Sequence, residues 1–521
     1  MPRHALATAM LIASRSLATC LVPFTALATP TEAIGVAGSR TPLPLQIRFD
    51  SLSRTDGLTL SVSTRGDSDG MTTFANTACC GIKTAQQFIH DVHAYAGDQP
   101  LAVTRNSKGW TVRHAPGAAL RLSYRLPPSG PMKIDVGVPE QLRPIVDTDS
   151  FHLIGTFGLL LPTGRKSDSV DLAVDASRVA TNGNFVSSFG EGNRISGVRA
   201  TLPEVAKAIY LGGSIALSIH QTPAGKVAIA YGGMEAGFQA AEFSKDALAI
   251  LAAERKFFGR SQPWFLVSVR GGVPKDPVIN LGGGTGLTNS FAMFARADLD
   301  AGSLEHREQF RLVLAHEYFH NWNGLTLRVA QKPGPTGDDA SVYWFSEGVT
   351  EFYTLRTLRR LGLMTPERAL AHLDSKLRDY AANHQRGASA AQAGELFWTD
   401  PDGEQIPYLR GYLAAWVADK ALQRGTAGAR GLDDALRALV ARGQAEKGFR
   451  VDNSFLATYL TAGMSARDAT NFRKFVLEGG DAPLDADSFA PCLRGHRKLV
   501  DGTDALQFEF AQPTKSACFR H

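Results

Sequence analysis

Cysteine is scarce in this chain, with five in 521 residues, and no two form a C-x-x-C pair. That absence excludes a thiolate zinc ribbon. Charge of one sign is equally scarce. The 55 Lys and Arg against 50 Asp and Glu leave a net charge of +5, too little to imply nucleic acid or a membrane surface as partner. No uninterrupted apolar run reaches the ~20 residues that a membrane span needs. Internal repeats and long low-complexity segments are missing too. Acid is missing from the first 28 residues, where basic "MPRHALATAMLIASRS" runs into apolar "LATCLVPFTALA" and ends on Ala26-Leu27-Ala28. This is the pattern of a secretory signal, read from Met1 or Met10. The expectation is an exported protein, periplasmic or secreted, with no integral membrane segment once residues 1–28 are removed. Removal takes Arg3 and Arg15 and no acid, so the charge falls from +5 to +3. It also leaves four cysteines, an even number that suits an oxidising compartment. Cys492 and Cys518 flank what reads as a terminal hairpin and are the expected disulfide. The state of the adjacent Cys79 and Cys80 stays open.

What is present is ordinary for a soluble globular protein: 44% hydrophobic and 20% charged residues, over a length that suggests two to four domains. From about residue 44 to 235, "LQIRF", "LTLSVST", "GWTVRHA" and "ALRLSYRL" alternate between Gly, Pro, Asp and Asn breaks, the pattern of strands. "GSIALSIH" and "KVAIAYGG" joined by "QTPAG" read as a hairpin. The period then turns helical in "GFQAAEFSKDALAILAAERKFFG", returns to a short buried strand in "PWFLVSVRG", and passes through glycine-rich "NLGGGTGLTNSFAMFAR". From residue 303 onward helices dominate, with Ser303 and Thr365 as N-caps and Pro366 in a first turn. Further helices are expected at about 409–424, 431–442 and 454–478. The expected architecture is multidomain α+β: a β-rich domain over 34–235, a mainly helical domain with a small β edge sheet over 236–445, and a helical segment with a hairpin over 446–521.

The chemistry-bearing stretch is "LVLAHEYFHNWNG". On a helix, His316 and His320 share one face, so their imidazoles can converge on one ion. Glu317 is rotated away from that face and can reach a metal-held water without ligating, as a general base does. Catalytic zinc usually takes three protein ligands, and "WFSEGVTEFY" supplies the third. Glu347 lies on the next helix with 26 residues between it and His320, and Glu351 follows one turn later. Glu347 would bind the metal while Glu351 accepts the free ring N–H of a ligand histidine. Both sit among Trp344, Phe345, Val349, Phe352 and Tyr353, where a carboxylate without a partner is costly. One zinc ion per chain is expected.

These residues resemble the glycyl aminopeptidase family of zinc metallopeptidases, metallopeptidase family sixty-one, within the glutamate-ligand zincins. The resemblance is carried by His316-Glu317-Tyr318-Phe319-His320 with Trp322-Asn323, by Trp344-Phe345-Ser346-Glu347-Gly348 and by Tyr408-Leu409-Arg410-Gly411. It is strong over about 260–425 and weaker over the N-terminal part, for example around Gly109-Trp110. It implies a thermolysin-like zinc-peptidase domain, with His316, His320 and Glu347 as ligands and Glu317 as general base. It also implies Tyr408 as the hydroxyl that stabilises a tetrahedral oxyanion, and a peptide or protein as substrate. The chain departs from the family in one place. A glycine-rich segment before the zinc helix commonly ends in a glutamate suited to a substrate's free amine, whereas residues 282–290 read "GGGTGLTNS" without an acid. Glu235 in "GGMEAG" lies 81 residues before His316. Aminopeptidase and endopeptidase action therefore both stay open, as does a silent zinc-containing peptide-binding protein.

Two other motifs carry less. Gly282 to Gly286 lacks the lysine of a phosphate-binding loop. Gly283 and Gly284 read instead as an edge strand that pairs with an extended peptide. "GDSDG" at Gly66 to Gly70 matches a nucleophile elbow only in letters, since its serine stands between aspartates in a polar turn.

Overall fold

The computed structural model describes residues 41–76, 85–130, 143–165, 169–180, 184–259, 262–273, 284–333, 337–446, 448–500 and 502–511. The expected signal segment and Cys79, Cys80 and Cys518 lie outside them. The described residues form two compact units, one holding 41–240 and 262–300, the other 241–259 and 301–511.

The first unit is built from strands. A seven-stranded sheet runs in spatial order Arg194–Thr201, Ser169–Asp175, Leu43–Ser53, Gly57–Arg65, Ala119–Leu126, His90–Ala96 and Gln99–Leu101. Its neighbours are antiparallel except Leu43–Ser53 beside Ser169–Asp175, which is parallel. The alternation seen in the sequence is the burial pattern: Leu45, Ile47 and Phe49 point into the core from one strand, Leu58, Leu60 and Val62 from the next. The Phe49 ring stacks on Phe151 at 4.9 Å and meets Phe185 at 5.5 Å. A four-stranded sheet buries Phe74 and Trp110, and a five-stranded sheet is centred on Ile209–Gly213.

A second five-stranded sheet ends the unit, with strands β1 (Ala216–Thr222), β2 (Gly225–Gly232), β3 (Trp264–Val273), β4 (Gly284–Leu287) and β5 (Ser290–Arg296) in spatial order β1-β2-β3-β5-β4. β1 and β2 form the expected hairpin. β2, β3 and β5 run parallel, and every residue of β5 is buried, which explains its unbroken apolar reading "FAMFA". Gly284 opens β4, the outer strand, as the glycine-rich pattern implied. Gly283 lies outside the described residues.

The second unit is helical. Helix α1 (Ala240–Phe258) leads into Gly259 with φ of 65°, and α2 (Leu304–Phe319) is capped by Ser303, whose side chain accepts from His306 N–H. Residues Trp344–Val349 form a π-helical turn that continues as α3 (Thr350–Arg360). Next come α4 (Pro366–Ala382), capped by Thr365, α5 (Ala390–Leu396), α6 (Pro401–Gly425), α7 (Leu432–Ala445), α8 (Asn453–Thr461) and α9 (Ala466–Glu478). Strands β6 (Leu493–Val500) and β7 (Thr503–Phe510) close the unit as the expected hairpin, and Cys492 before it is disulfide-bonded.

Two helix boundaries differ from expectation. α6 begins eight residues early, because Asp400 caps it and Pro401 occupies its first turn, and the helix runs on through Pro407. The span 454–478 is two helices, broken where Gly463 takes φ of 101° and Ser465 starts a new cap. Among the described residues no helix is long and apolar enough to cross a membrane.

Candidate metal centre

Helix α2 is fixed before it presents any chemistry. Asp246 of α1 is buried and receives Arg311 Nε at 2.7 Å and Arg311 Nη2 at 3.1 Å, with Arg307 beside it. Phe243 packs edge-on to Phe310 at 5.0 Å. At the other end, Trp322 stacks on Phe258 at 4.6 Å, and Arg255 Nε donates to Tyr318 Oη at 2.6 Å. The motif helix is thus held by apolar packing and by buried pairs on both sides.

On that helix His316 and His320 face one way, and the π-helical turn brings Glu347 to them. His320 Nε2 lies 3.1 Å from His316 Nε2, and Glu347 Oε2 lies 3.3 Å from each nitrogen. All three side chains are buried. Tetrahedral bonds of the usual zinc–nitrogen and zinc–oxygen length put ligand atoms about 3.3 Å apart, so the donor triangle fits that ion. Each ring is also oriented for the task. His320 Nδ1 is 3.0 Å from the Asn323 carbonyl, which can only accept, so Nδ1 carries the hydrogen and Nε2 keeps its lone pair. His316 Nδ1 stands 3.2 Å from Glu351 Oε1, the neighbour expected from the one-turn spacing.

The electrostatics draw positive charge to this point. Burial works against an imidazolium at His316, yet Glu347 and Glu351 raise its pKa above the ordinary range. The same holds for His320, where burial is outweighed by Glu347. Glu347 is held below the usual carboxylate range despite its burial, chiefly by His320. A cluster of this kind suits a bound cation. Glu317 is buried beside it.

Two features that spacing alone could not supply fix Glu347. Asn323 Nδ2 reaches the Phe345 carbonyl at 3.0 Å, the Ser346 carbonyl at 3.3 Å and Thr350 Oγ1 at 3.2 Å. One buried amide therefore holds the end of α2 against the turn that carries the third donor. The turn also meets α6 glycine to glycine. A Cβ on Gly348 would stand 2.3 Å from Gly411 Cα, and a Cβ on Gly411 would stand 1.8 Å from the Trp344 carbonyl oxygen. The close approach puts Tyr408, three residues before Gly411, beside the donors. Its ring lies 6.2 Å from that of His316, nearly parallel, and it is buried.

The structure thus brings together His316, Glu317, His320, Glu347, Glu351 and Tyr408. Gly284 belongs to the other unit, and Cys492 sits before the terminal hairpin. Sequence reasoning assigned no part to Gly348, Gly411 or Asn323 beyond their place in the family motifs. It also passed over Lys376, which lies in α4.

A buried triad of two imidazoles and a carboxylate, with a glutamate next to the first histidine, defines the class: the chain is a zinc metallopeptidase. The segment that carries this triad also bears a family likeness. Residues 309–403 match the M61 glycyl aminopeptidase family model, so the resemblance read from the motifs holds. No curated protein matches the chain. Among solved structures it is similar to an aminopeptidase N family protein from Idiomarina loihiensis, with a TM-score of 0.70 and 17% identity over 88% of this chain and 80% of that one. That likeness establishes a shared fold. An M1 zinc metallopeptidase from Deinococcus radiodurans aligns with a TM-score of 0.48 and 16% identity over 85% of this chain and 96% of that one. A point mutant of the Deinococcus enzyme, bound to a Tyr-Ser-Ala substrate, aligns at 0.47 and 16%, over 85% and 95%.

Proposed function

We propose that the chain is an exported peptidase that hydrolyses peptide bonds with Glu317 as general base, and that His316, His320 and Glu347 together hold one zinc ion. The observation that carries this reading is the donor triangle, whose edges of 3.1 and 3.3 Å join two elements far apart in sequence. Zinc, when bound, supplies a Lewis acid that makes water acidic and a carbonyl electrophilic. Glu317 takes the proton from the attacking water and hands it to the leaving amine. The Tyr408 hydroxyl donates to the carbonyl oxygen as negative charge develops there. Glu351 holds the His316 ring through Nδ1.

A thermolysin-like catalytic domain over 236–445, flanked by a β-rich domain over 34–235 and a C-terminal segment over 446–521, belongs to the same reading. So does export, which rests on the acid-free, apolar first 28 residues. The outer strand at Gly284 offers a backbone edge to an extended peptide.

The test is Glu317→Gln. The variant is expected to keep its zinc while turnover of a peptide library falls at least about a hundredfold; undiminished turnover would remove Glu317 from the reaction. The family description favours a second reading, an aminopeptidase. Cleavage of a free peptide but not of its N-acetylated form would support it, and equal cleavage of both would establish endopeptidase action.

A further inference from the structure

Helix α4 (Pro366–Ala382) sends His372 and Lys376, one turn apart, toward α3. Lys376 Nζ lies 3.1 Å from Glu351 Oε2, while the other oxygen of that carboxylate, Oε1, lies 3.2 Å from His316 Nδ1. One carboxylate therefore spans two helices, with one oxygen on each neighbour. The pair is largely shielded, its side chains only 15% and 12% exposed. A solvent-exposed pair at this distance would contribute little, but here removal of either partner leaves a buried charge uncompensated. His372 does not substitute for the ammonium. Its Nε2 is 3.9 Å from Glu351 Oε2, beyond hydrogen-bond reach. Burial, reinforced by the Lys376 charge, pushes its pKa down to about 4, so it is neutral near pH 7.

The charge count around the donors asks for such a group. On the reading above, a divalent cation meets the carboxylates of Glu317, Glu347 and Glu351, two positive charges against three negative. Lys376 supplies the remaining positive charge from outside the ligand set.

We propose that Lys376 is a positioning residue of the metal centre: its ammonium holds Glu351 Oε2, so that Oε1 stays on His316 Nδ1 and the ring presents Nε2 to the ion. This rests on the zinc-peptidase reading. It makes α4, which contributes no ligand, part of what sets metal affinity.

The experiment measures zinc affinity by competition with a chromophoric chelator, and the visible spectrum of the cobalt-substituted protein, for wild type, Lys376→Met, Lys376→Arg, Glu351→Gln and the double variant Lys376→Met with Glu351→Gln. Lys376→Met is expected to weaken zinc binding about 10–100-fold and to alter the cobalt bands, because partners of ligand histidines carry effects of that size. Lys376→Arg should restore most of the affinity. The Lys376→Met effect should vanish once Glu351 is Gln, since the lysine acts only through that carboxylate. Wild-type affinity and spectrum in Lys376→Met would overturn the proposal, as would a loss of equal size in the Glu351→Gln background. Melting curves of the metal-free forms show whether each variant folds. If Lys376→Met does not, the comparison of Glu351→Gln with the double variant, which leaves no orphaned charge, carries the test. Zinc bound normally by His320→Ala would instead sink the metal-site reading itself.

Discussion

Gly411→Ala adds one methyl group to a helix, where alanine ordinarily stabilises by about 0.5–1 kcal/mol over glycine. Here the sign should reverse. The new Cβ would stand 1.8 Å from the Trp344 carbonyl oxygen and 2.7 Å from Gly348 Cα, both backbone atoms with no side chain to rotate away. Ordinary contact begins at 3.4 Å, so α6 and the π-helical turn must part by roughly 1.6 Å, the shortfall that dispersion contacts do not tolerate. Overpacking of this kind costs about 1–3 kcal/mol, leaving a net loss of up to roughly 2.5 kcal/mol after the helix-propensity gain. The functional loss should be larger than the loss in stability. Trp344 lies three residues before Glu347, so the displaced segment is the one that carries the third donor. The donor triangle, with edges of 3.1–3.3 Å, has little slack. A catalytic constellation must be held to about 0.5 Å, and a displacement near 1 Å can cost about a hundredfold in rate. We therefore expect zinc affinity in Gly411→Ala to fall at least about tenfold, in the range seen when supports of a ligand are lost, with kcat/KM falling further. Gly387→Ala is the control, since a Cβ there meets nothing within 4 Å. Chelator competition, peptide turnover and thermal melting of the two variants decide the matter. If Gly411→Ala binds zinc and turns over peptide like wild type, the glycine crossing does not position Glu347.

Asn323→Ala removes the amide that bridges Phe345, Ser346 and Thr350. Stability should drop by about 1–3 kcal/mol, as for a buried hydrogen-bond donor lost, and zinc should leave faster in timed dialysis. Unchanged dialysis kinetics would deny the clamp. Chelation should lower the Tm of wild type and leave that of His320→Ala unmoved, because an ion held at a thousand times its Kd adds about 4 kcal/mol. A third outcome concerns pH at the terminal hairpin. Burial raises Asp374 from 3.8 to about 6, against the Phe508 N–H that it accepts and the nearby His496 charge. Its folded pKa lies above its unfolded one, so the unfolded chain ionises first as pH rises. Stability should decline between about pH 4 and pH 6 and level off above. Asp374→Asn can still accept the Phe508 N–H and should match wild type near pH 4 yet exceed it above pH 6. After discounting for partial exposure, the gain is of order 1 kcal/mol. Parallel Tm profiles at all pH values would refute the assignment.

Much of the helical site was legible because its logic is local. His316 and His320 four apart on a capped helix, and carboxylates inside an aromatic run, declare themselves through helical spacing and the cost of burying charge. Tyr408 was legible only through its motif, since a tyrosine in an apolar helix otherwise reads as packing. Strands were legible for the same local reason as the donors: alternation at Leu45, Ile47 and Phe49 predicts one buried face. Their partners were not. Nothing near Leu43 announces a parallel neighbour at Val170, because pairing across that distance is decided by tertiary packing.

What escaped the sequence is long-range and carries little chemistry of its own. Nothing local to Gly348 or Gly411 announces that their two backbones touch, or that α6 starts ahead of 409 and continues through Pro407. Lys376 belongs to an amphipathic helix, on which a lysine ordinarily faces water. Glu254 sharpens the point. It is buried on α1, and neither of its oxygens has a hydrogen-bond partner among the described residues. Burial raises its pKa well above the carboxylate range against the pull of His316. A buried acid without a partner stays neutral, so it adds no fourth negative charge to the cluster. Glu347 and Glu351 each have a nitrogen partner, and what separates Glu351 from Glu254 is the lysine that α4 brings to one and not to the other. The net charge of the site is set by which helices meet there, a property of the fold that no spacing rule along a single helix contains.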